Sequence, residues 1–274
     1  MSAPPRLIDR AALLRNRARA RHAPALFLRE RMVTDIQERL GEVNRRFTSP
    51  ALVSPFPELW ADTLPGADIA ADDEILALAP GAHDLLVHDL CLHWADDPVG
   101  QLVQARHALQ PDGLLIATMF GGQTLHELRT SLAEAEVRET GGLSPRIVPM
   151  GETRALGTLL QRAGFALPVA DNINFPVSYE SPLHLMRDLR AMGEGNALAQ
   201  RLRRPTRRAV FETAASVYAD HFAENDRIPA TFEVVILTGW APHPDQQKPL
   251  RPGSARARLA DALGVDETPL DPMS

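Results

Sequence analysis

Apolar positions in the first forty residues recur at helical spacing. Leu7, Ile8, Ala11 and Leu14 mark one helix over 7–20, and Leu26, Leu28, Met32, Ile36 and Leu40 a second over 25–40, with Gly41 placed as its C-terminal cap. Shorter runs follow. Ala51-Leu52-Val53-Ser54 predicts a strand, and Ala67 to Ala70 a weaker one leading into Asp72-Asp73-Glu74. The clearest pattern lies between Asp84 and Arg129. An apolar strand, Asp84 to Leu90, runs into His93-Trp94; Asp97-Pro98 then opens a helix with a capping carboxylate and a proline at the first helical position. That helix is expected to close at Pro111-Asp112-Gly113. A second apolar strand, Leu114 to Phe120, ends in Gly121-Gly122, and a further helical pattern follows.

The same grammar continues downstream. Glu152 to Arg162 reads as a helix stopped by Gly164, and 167–179 as an extended segment carrying Val169, Ile173, Phe175, Val177 and Tyr179. Ser181-Pro182 opens another helix, 206–223 reads as one more, and Phe232 to Trp240 is a strong late strand. Strands alternating with helices through short turns predict an α/β fold around a mainly parallel sheet. Its binding crevice lies at the carboxyl ends of the strands. Both unusual strand endings, LCLHW and MFGG, fall at that edge.

Composition narrows this picture in a few places. With 274 residues, 45% hydrophobic and 23% charged, the chain suits one large α/β domain with additions. A net charge of -6 gives no global basic field for nucleic acid. Lys248 is the only lysine; arginine has taken its place elsewhere. Cys91 is the only cysteine, which excludes an internal disulfide and a thiolate metal cluster. No apolar run reaches the ~18–20 residues of a membrane span. The N-terminus is rich in arginine (Arg6, Arg10, Arg15, Arg17, Arg19, Arg21) and lacks the apolar core of a secretory signal. His83, His88 and His93 with Asp84 and Asp89 hint at a metal site. Strand alternation, however, puts Asp84 and His88 on one face and Asp89 on the other, so no metal is expected. The sequence contains no nucleophile elbow, phosphate-binding loop or zinc spacing.

The order DLLV…LHW…PDG.L resembles the C-terminal half of a class I S-adenosylmethionine (SAM) methyltransferase core. A narrower set resembles the methyltransferase-like assembly factor of respiratory complex I and its bacterial relatives: MFGGQTLHELRTSLAEAE, GGLSPRIVPM, LLQRAGF, LRAMGEGNA and PATFEVVILTGWAPH, with IDRAALLRNRARA as an opening helix. The likeness covers roughly 84–260 and that opening. It implies a class I methyltransferase (Rossmann-like) three-layer sandwich with a late antiparallel strand. N-terminal helices over 1–45 would pack on a domain over 46–245; 181–229 would form a helical insertion over the crevice, and 246–274 a loosely ordered tail with a short helix near 255–263. It also implies SAM as cofactor, held by Ser54, Asp72, Asp89, Leu90, His93, Phe120 and Gly121. A protein substrate or client is implied, such as a complex I subunit, with no integral membrane segment. The arginine-rich helix would belong to the mature fold, which makes the cytoplasm the expected compartment. Arg129, Arg146 and Glu194 would contact a peptide or form surface pairs.

One stretch departs from the family pattern. The fold normally carries a glycine-rich turn after its first strand, where backbone approaches the cofactor closely, and an acidic residue after the second strand for the ribose. Here the first strand enters Ser54-Pro55-Phe56-Pro57, and no glycine lies between Gly41 and Gly66. The stretch from Ser54 to Asp84 is also short for the usual helix, strand and helix. Three functions remain open: SAM-dependent methylation or hydroxylation of a respiratory-chain protein, a non-catalytic assembly factor with a decayed cofactor loop, and malonyl-carrier methylation in biotin synthesis.

Overall fold

A computed structural model describes residues 6–246, and the expected tail from 247 onward, with its helix near 255–263, lies outside the described residues. The unit that ends at Pro242 carries every helix and strand described below. It opens with α1 (Arg10–Ala20), whose first turn is capped by Asp9 accepting from the Ala12 N–H. In α2 (Phe27–Glu42) Leu28, Met32 and Ile36 repeat at four-residue spacing and are all buried.

Strands β1 (Pro50–Val53), β2 (Asp68–Ala70), β3 (His83–His88) and β4 (Leu109–Phe120) are parallel, and β5 (Ala166–Tyr179) and β6 (Ile228–Trp240) run antiparallel to each other. The sheet order is β2-β1-β3-β4-β6-β5, with β6 antiparallel to β4. Between β1 and β2 there is only a four-residue 3₁₀ turn, Pro57–Trp60, in place of a crossover helix. Strand alternation divides the core. Leu52, Leu85, Val87, Leu114 and Ile116 join α2 on one face, together with α4 (His126–Thr140) and α7 (Arg208–Phe222). Ala51, Val53, Leu86, Leu115 and Ala117 face α3 (Pro98–Ala108) and α5 (Thr153–Arg162) on the other. Helices on both faces of a central sheet make the expected three layers. Between β5 and β6 lie α6 (Pro182–Ala191), capped by Ser181, and α7; α6 packs against α1.

Helix boundaries differ from expectation at two places: Gly41 lies inside α2, whose C-cap is Val43 because the Val43 N–H continues the helical bonding to the Arg39 carbonyl, and the end of α3 moves. Helix α3 ends at Ala108, and β4 already runs through Pro111-Asp112-Gly113. The cause is tertiary pairing: Asp112 N–H donates to the Ala241 carbonyl and Ala241 N–H to the Gly113 carbonyl, which pins the turn residues to the end of the late strand.

Candidate functional site

The carboxyl ends of β1, β2 and β3 are held by arginines from the two N-terminal helices. Arg29 of α2 donates to the Asp89 carbonyl at 2.9 Å, to Asp89 Oδ2 at 3.0 Å and to the Leu90 carbonyl at 3.0 Å. Ser54 Oγ donates to the same Asp89 Oδ2 at 2.6 Å and accepts from the Phe56 N–H. Arg17 of α1 meets Asp72 Oδ1 at 2.6 Å, and Arg10 reaches the same oxygen at 2.9 Å. Asp89, Arg17, Arg29 and Ser54 are all buried. Burial alone would raise the Asp72 carboxyl; the charges and hydrogen bonds of Arg17 and Arg10 outweigh it and bring the group down from 3.8 to about 2. Leu90, at φ 43°, donates its N–H to Thr118 Oγ1 and so fixes the turn leaving β3.

A third carboxylate closes the network. Glu194 follows α6 across Gly193, whose φ of 81° strains any side chain and where an added Cβ would stand 3.2 Å from Arg17 Cγ. Glu194 Oε2 accepts from Trp94 Nε1 at 2.6 Å and lies 3.1 Å from His93 Nε2; Oε1 lies 3.5 Å from Arg29. Burial would raise Glu194, and the charge and hydrogen bond of His93 with the charges of Arg29 and Arg17 pull it below its ordinary value. It is therefore a buried tie between insertion and sheet edge, in contrast to the surface pair expected for it. Arg146 does pair, with Glu136 at 2.8 Å, and Arg129 donates to the Gly122 carbonyl. Arg10, Arg17 and Arg29 thus face Asp72, Asp89 and Glu194, with Asp73 as a further partner of Arg10 at 2.8 Å.

The Phe120 and His93 rings meet at 4.8 Å, tilted by 52°, and Phe120 borders a cavity of about 190 Å3 that Trp94 and Glu194 also line. Leu128, Leu132, Val148, Met186 and Phe232 supply its apolar walls. Gly121 faces away from the ion network: a Cβ there would stand 2.6 Å from Glu233 of β6. Glu233 is itself buried and accepts from the Gln123 N–H and Asn172 Nδ2. Two other histidines point elsewhere, and His83 Nε2 is buried without a hydrogen-bond partner. His88 Nε2 lies 3.2 Å from Gln101, His88 Nδ1 lies 3.5 Å from Cys91 Sγ, and His83 reaches toward Asp68 at 3.8 Å.

The seven residues expected to hold SAM lie along one sheet edge, where the turn after β1 differs from the glycine-rich form of the family pattern. Ser54, Pro55 and Phe56 are buried, Pro55 has no N–H, and the Phe56 N–H is used by Ser54. The Arg29 guanidinium sits 5.2 Å from the Phe56 ring, where a ligand would approach the turn. Of the acids after the second strand, Asp72, Asp73 and Glu74, Asp72 gives one oxygen to two arginines, and its other oxygen, Oδ2, is buried without a partner. A concavity of about 470 Å3 does border Asp72, Trp94 and Gln101, but Ser54, Pro55 and Phe56 take no part in lining it. Arg17 and Arg29 were not singled out from sequence. Their signal was present: Arg17 follows Leu13 by four residues, and Arg29 precedes Met32 and Ile36 by three and seven, each on an apolar stripe.

Comparison with known proteins places the chain. No family model matches it. It is 38% identical over 233 residues to "Arginine-hydroxylase NDUFAF5, mitochondrial" of Danio rerio, spanning 84% of this chain and 71% of that protein. The protein of the same name from Homo sapiens is 40% identical over 72% of this chain and 57% of its own length, so the chain spans little more than half of that relative. A "Malonyl-[acyl-carrier protein] O-methyltransferase" of Xylella fastidiosa is 35% identical over 65% of this chain and 58% of that enzyme. Among solved structures, the YcgJ protein of Bacillus subtilis aligns with 77% of this chain and 98% of its own, at 9% identity and a TM-score of 0.46. The identity and coverage of the Danio rerio protein settle the assignment: this chain belongs to the NDUFAF5 arginine-hydroxylase family.

Proposed function

We propose that this chain is a methyltransferase-fold assembly factor for respiratory complex I, which works by holding a client protein and does not turn over SAM. What supports this reading is the sheet edge: Arg17 and Arg29 stand at the ends of β1, β2 and β3, where the fold's cofactor is expected, and Asp72 and Asp89 each give one oxygen to them. The likeness to the complex I assembly factor supplies the client class. The cytoplasm is the proposed compartment; a single, buried cysteine is compatible with reducing surroundings. Among the described residues no helix is long and apolar enough to cross a membrane.

A second reading, SAM-dependent modification of the same client, is favoured by the hydroxylase and methyltransferase names of the relatives and by partnerless buried atoms at the crevice, Arg17 Nε and Nη2 and Asp89 Oδ1. Gene deletion with complementation, paired with an assay for S-adenosylhomocysteine, separates the two. Loss of assembled complex I, restored by the wild-type gene, without any SAM turnover is the expected result. Turnover on a complex I protein would move the assignment to the second reading. A biotin requirement with normal complex I would point to malonyl-carrier methylation and sink both.

A further inference from the structure

Beside that sheet edge, α1 and α6 form a second concavity of about 360 Å3, lined by Asn16, Arg19, Ala20, Arg187, Arg190, Ala191 and Gly195. Arg19, Arg187 and Arg190 are all exposed, and among the described residues none has an ion-pair partner. Among the described residues no carboxylate lines this hollow, while Arg187 also borders a neighbouring one that holds Glu180 and Asp188. In a chain of net charge -6, three unpaired guanidinium groups around one hollow form a local field of the opposite sign. Leu183, Arg187 and Arg190 lie at i, i+4 and i+7, and so share one exposed stripe of α6. Leu183 is 51% exposed, an apolar contact at the end of that stripe.

Arg190 and Gly195 also line the apolar cavity under Phe120 and Trp94, so cradle and cavity share a wall. At about 190 Å3 this cavity exceeds the ~150 Å3 that accepts a benzene-sized group. Its other arginine, Arg146, is spent on Glu136 and Thr206, so that among the described residues Arg190 is the cation without an ion pair that lines both spaces. A planar guanidinium fork matches a carboxylate. A partner with carboxylates for the three arginines and one apolar side chain for the cavity would use both at once, as an anchored interface does.

We propose that the α1–α6 cradle and the adjoining cavity bind an acidic peptide segment of the client, with its carboxylates on Arg19, Arg187 and Arg190 and an aromatic or aliphatic side chain in the cavity. This rests on the client-holding function proposed above, and its test is independent of complex I. The full chain is titrated, by fluorescence anisotropy, with a labelled twelve-residue probe carrying Glu-Glu and a Phe three residues on. The Gln-Gln version of the probe serves as control. The acidic probe should bind, the Gln version should bind about tenfold more weakly, and Arg187→Glu with Arg190→Glu should impose a similar loss. Raising salt should weaken the acidic probe selectively. Arg162→Glu, a reversal on exposed α5, should leave binding unchanged. Equal binding of both probes, or binding indifferent to the double reversal, overturns the proposal. So does the outcome in which the double reversal abolishes binding to phosphatidylglycerol vesicles and spares the peptide, since the cradle would then serve a lipid surface. Peptide binding together with normal complex I in the deletion strain would keep the cradle and refute the client assignment instead.

Discussion

Arg29 shows how one side chain can decide what a crevice does. Its guanidinium spans the Asp89 carboxylate, two backbone carbonyls and the edge of Glu194, and only 5% of the side chain is exposed. Truncating one partner of a buried pair leaves the other charge desolvated and alone, at a cost of roughly 3–5 kcal/mol. Arg29→Met is therefore expected to lower unfolding free energy by that order in a denaturant titration. Adding Asp89→Asn should recover part of the loss, because the orphaned charge is then gone. A loss below about 1 kcal/mol for the single variant would mean that water reaches Asp89 and that the crevice is open. Asp89 was legible in the sequence as an acid at a strand end. Its partner, sixty positions earlier, was not, because patterning along a helix shows which face is buried and not which acid that face will meet.

At the scale of elements, α1 works as a clamp on the end of β2. Its Asp9 cap fixes the start of the helix and pairs with Arg201 and Arg203 of the segment after α6, while Ile8 and Leu13 bury their side chains with Trp94 and Leu198. Arg17 and Arg10 then deliver charge to Asp72. The folded carboxyl is held near 2, below its ordinary 3.8, so its stabilisation is present above about pH 4 and drains away as pH falls through 2. That shift corresponds to about 2 kcal/mol. The stability gap between wild type and Asp72→Asn should accordingly narrow by about that much between pH 5 and pH 2, read from denaturant midpoints. A gap that stays constant with pH would show that Asp72 is not ionised against the helix. Asp9, Asp84 and Glu136, also depressed, titrate in both proteins and drop out of the difference; Glu194, which feels the same Arg17 charge as Asp72, is the coupled exception. The helices themselves were visible in the sequence through caps and spacing: Asp97-Pro98 and Ser181-Pro182 cap α3 and α6 as expected. The end of α3 was missed because pairing with Ala241, far along the chain, overrode the local turn signal.

For the whole molecule, the question is whether an ion-paired sheet edge can still admit a nucleoside carrying a sulfonium. Two independent obstacles stand in its way. In the turn after β1, Pro55 has no N–H and the Phe56 N–H is bonded to Ser54 Oγ, and the acid after β2 gives one oxygen to two arginines. Removing only one of them leaves the other, so Arg10→Ala with Arg17→Ala should not create a site. Thermal unfolding reads this directly, because a ligand that binds only the native state at a hundred times its Kd adds about 2.7 kcal/mol. For a chain of this size that is a rise of roughly 5–10 °C. With 1 mM SAM, both wild type and the Arg10, Arg17 double variant are expected to shift by less than about 1 °C, a bound set by the same arithmetic. A rise of several degrees in the wild type would mean that α1 and α2 swing off the crevice as ligand enters, and that the clamp is a gate. A rise confined to the double variant would leave the β1 turn competent and make the arginines alone responsible for closure. In either case the family's fold would have kept its cofactor edge, and the loss of the glycine turn would have been compensated by Ser54 and the Asp89 carboxylate it holds.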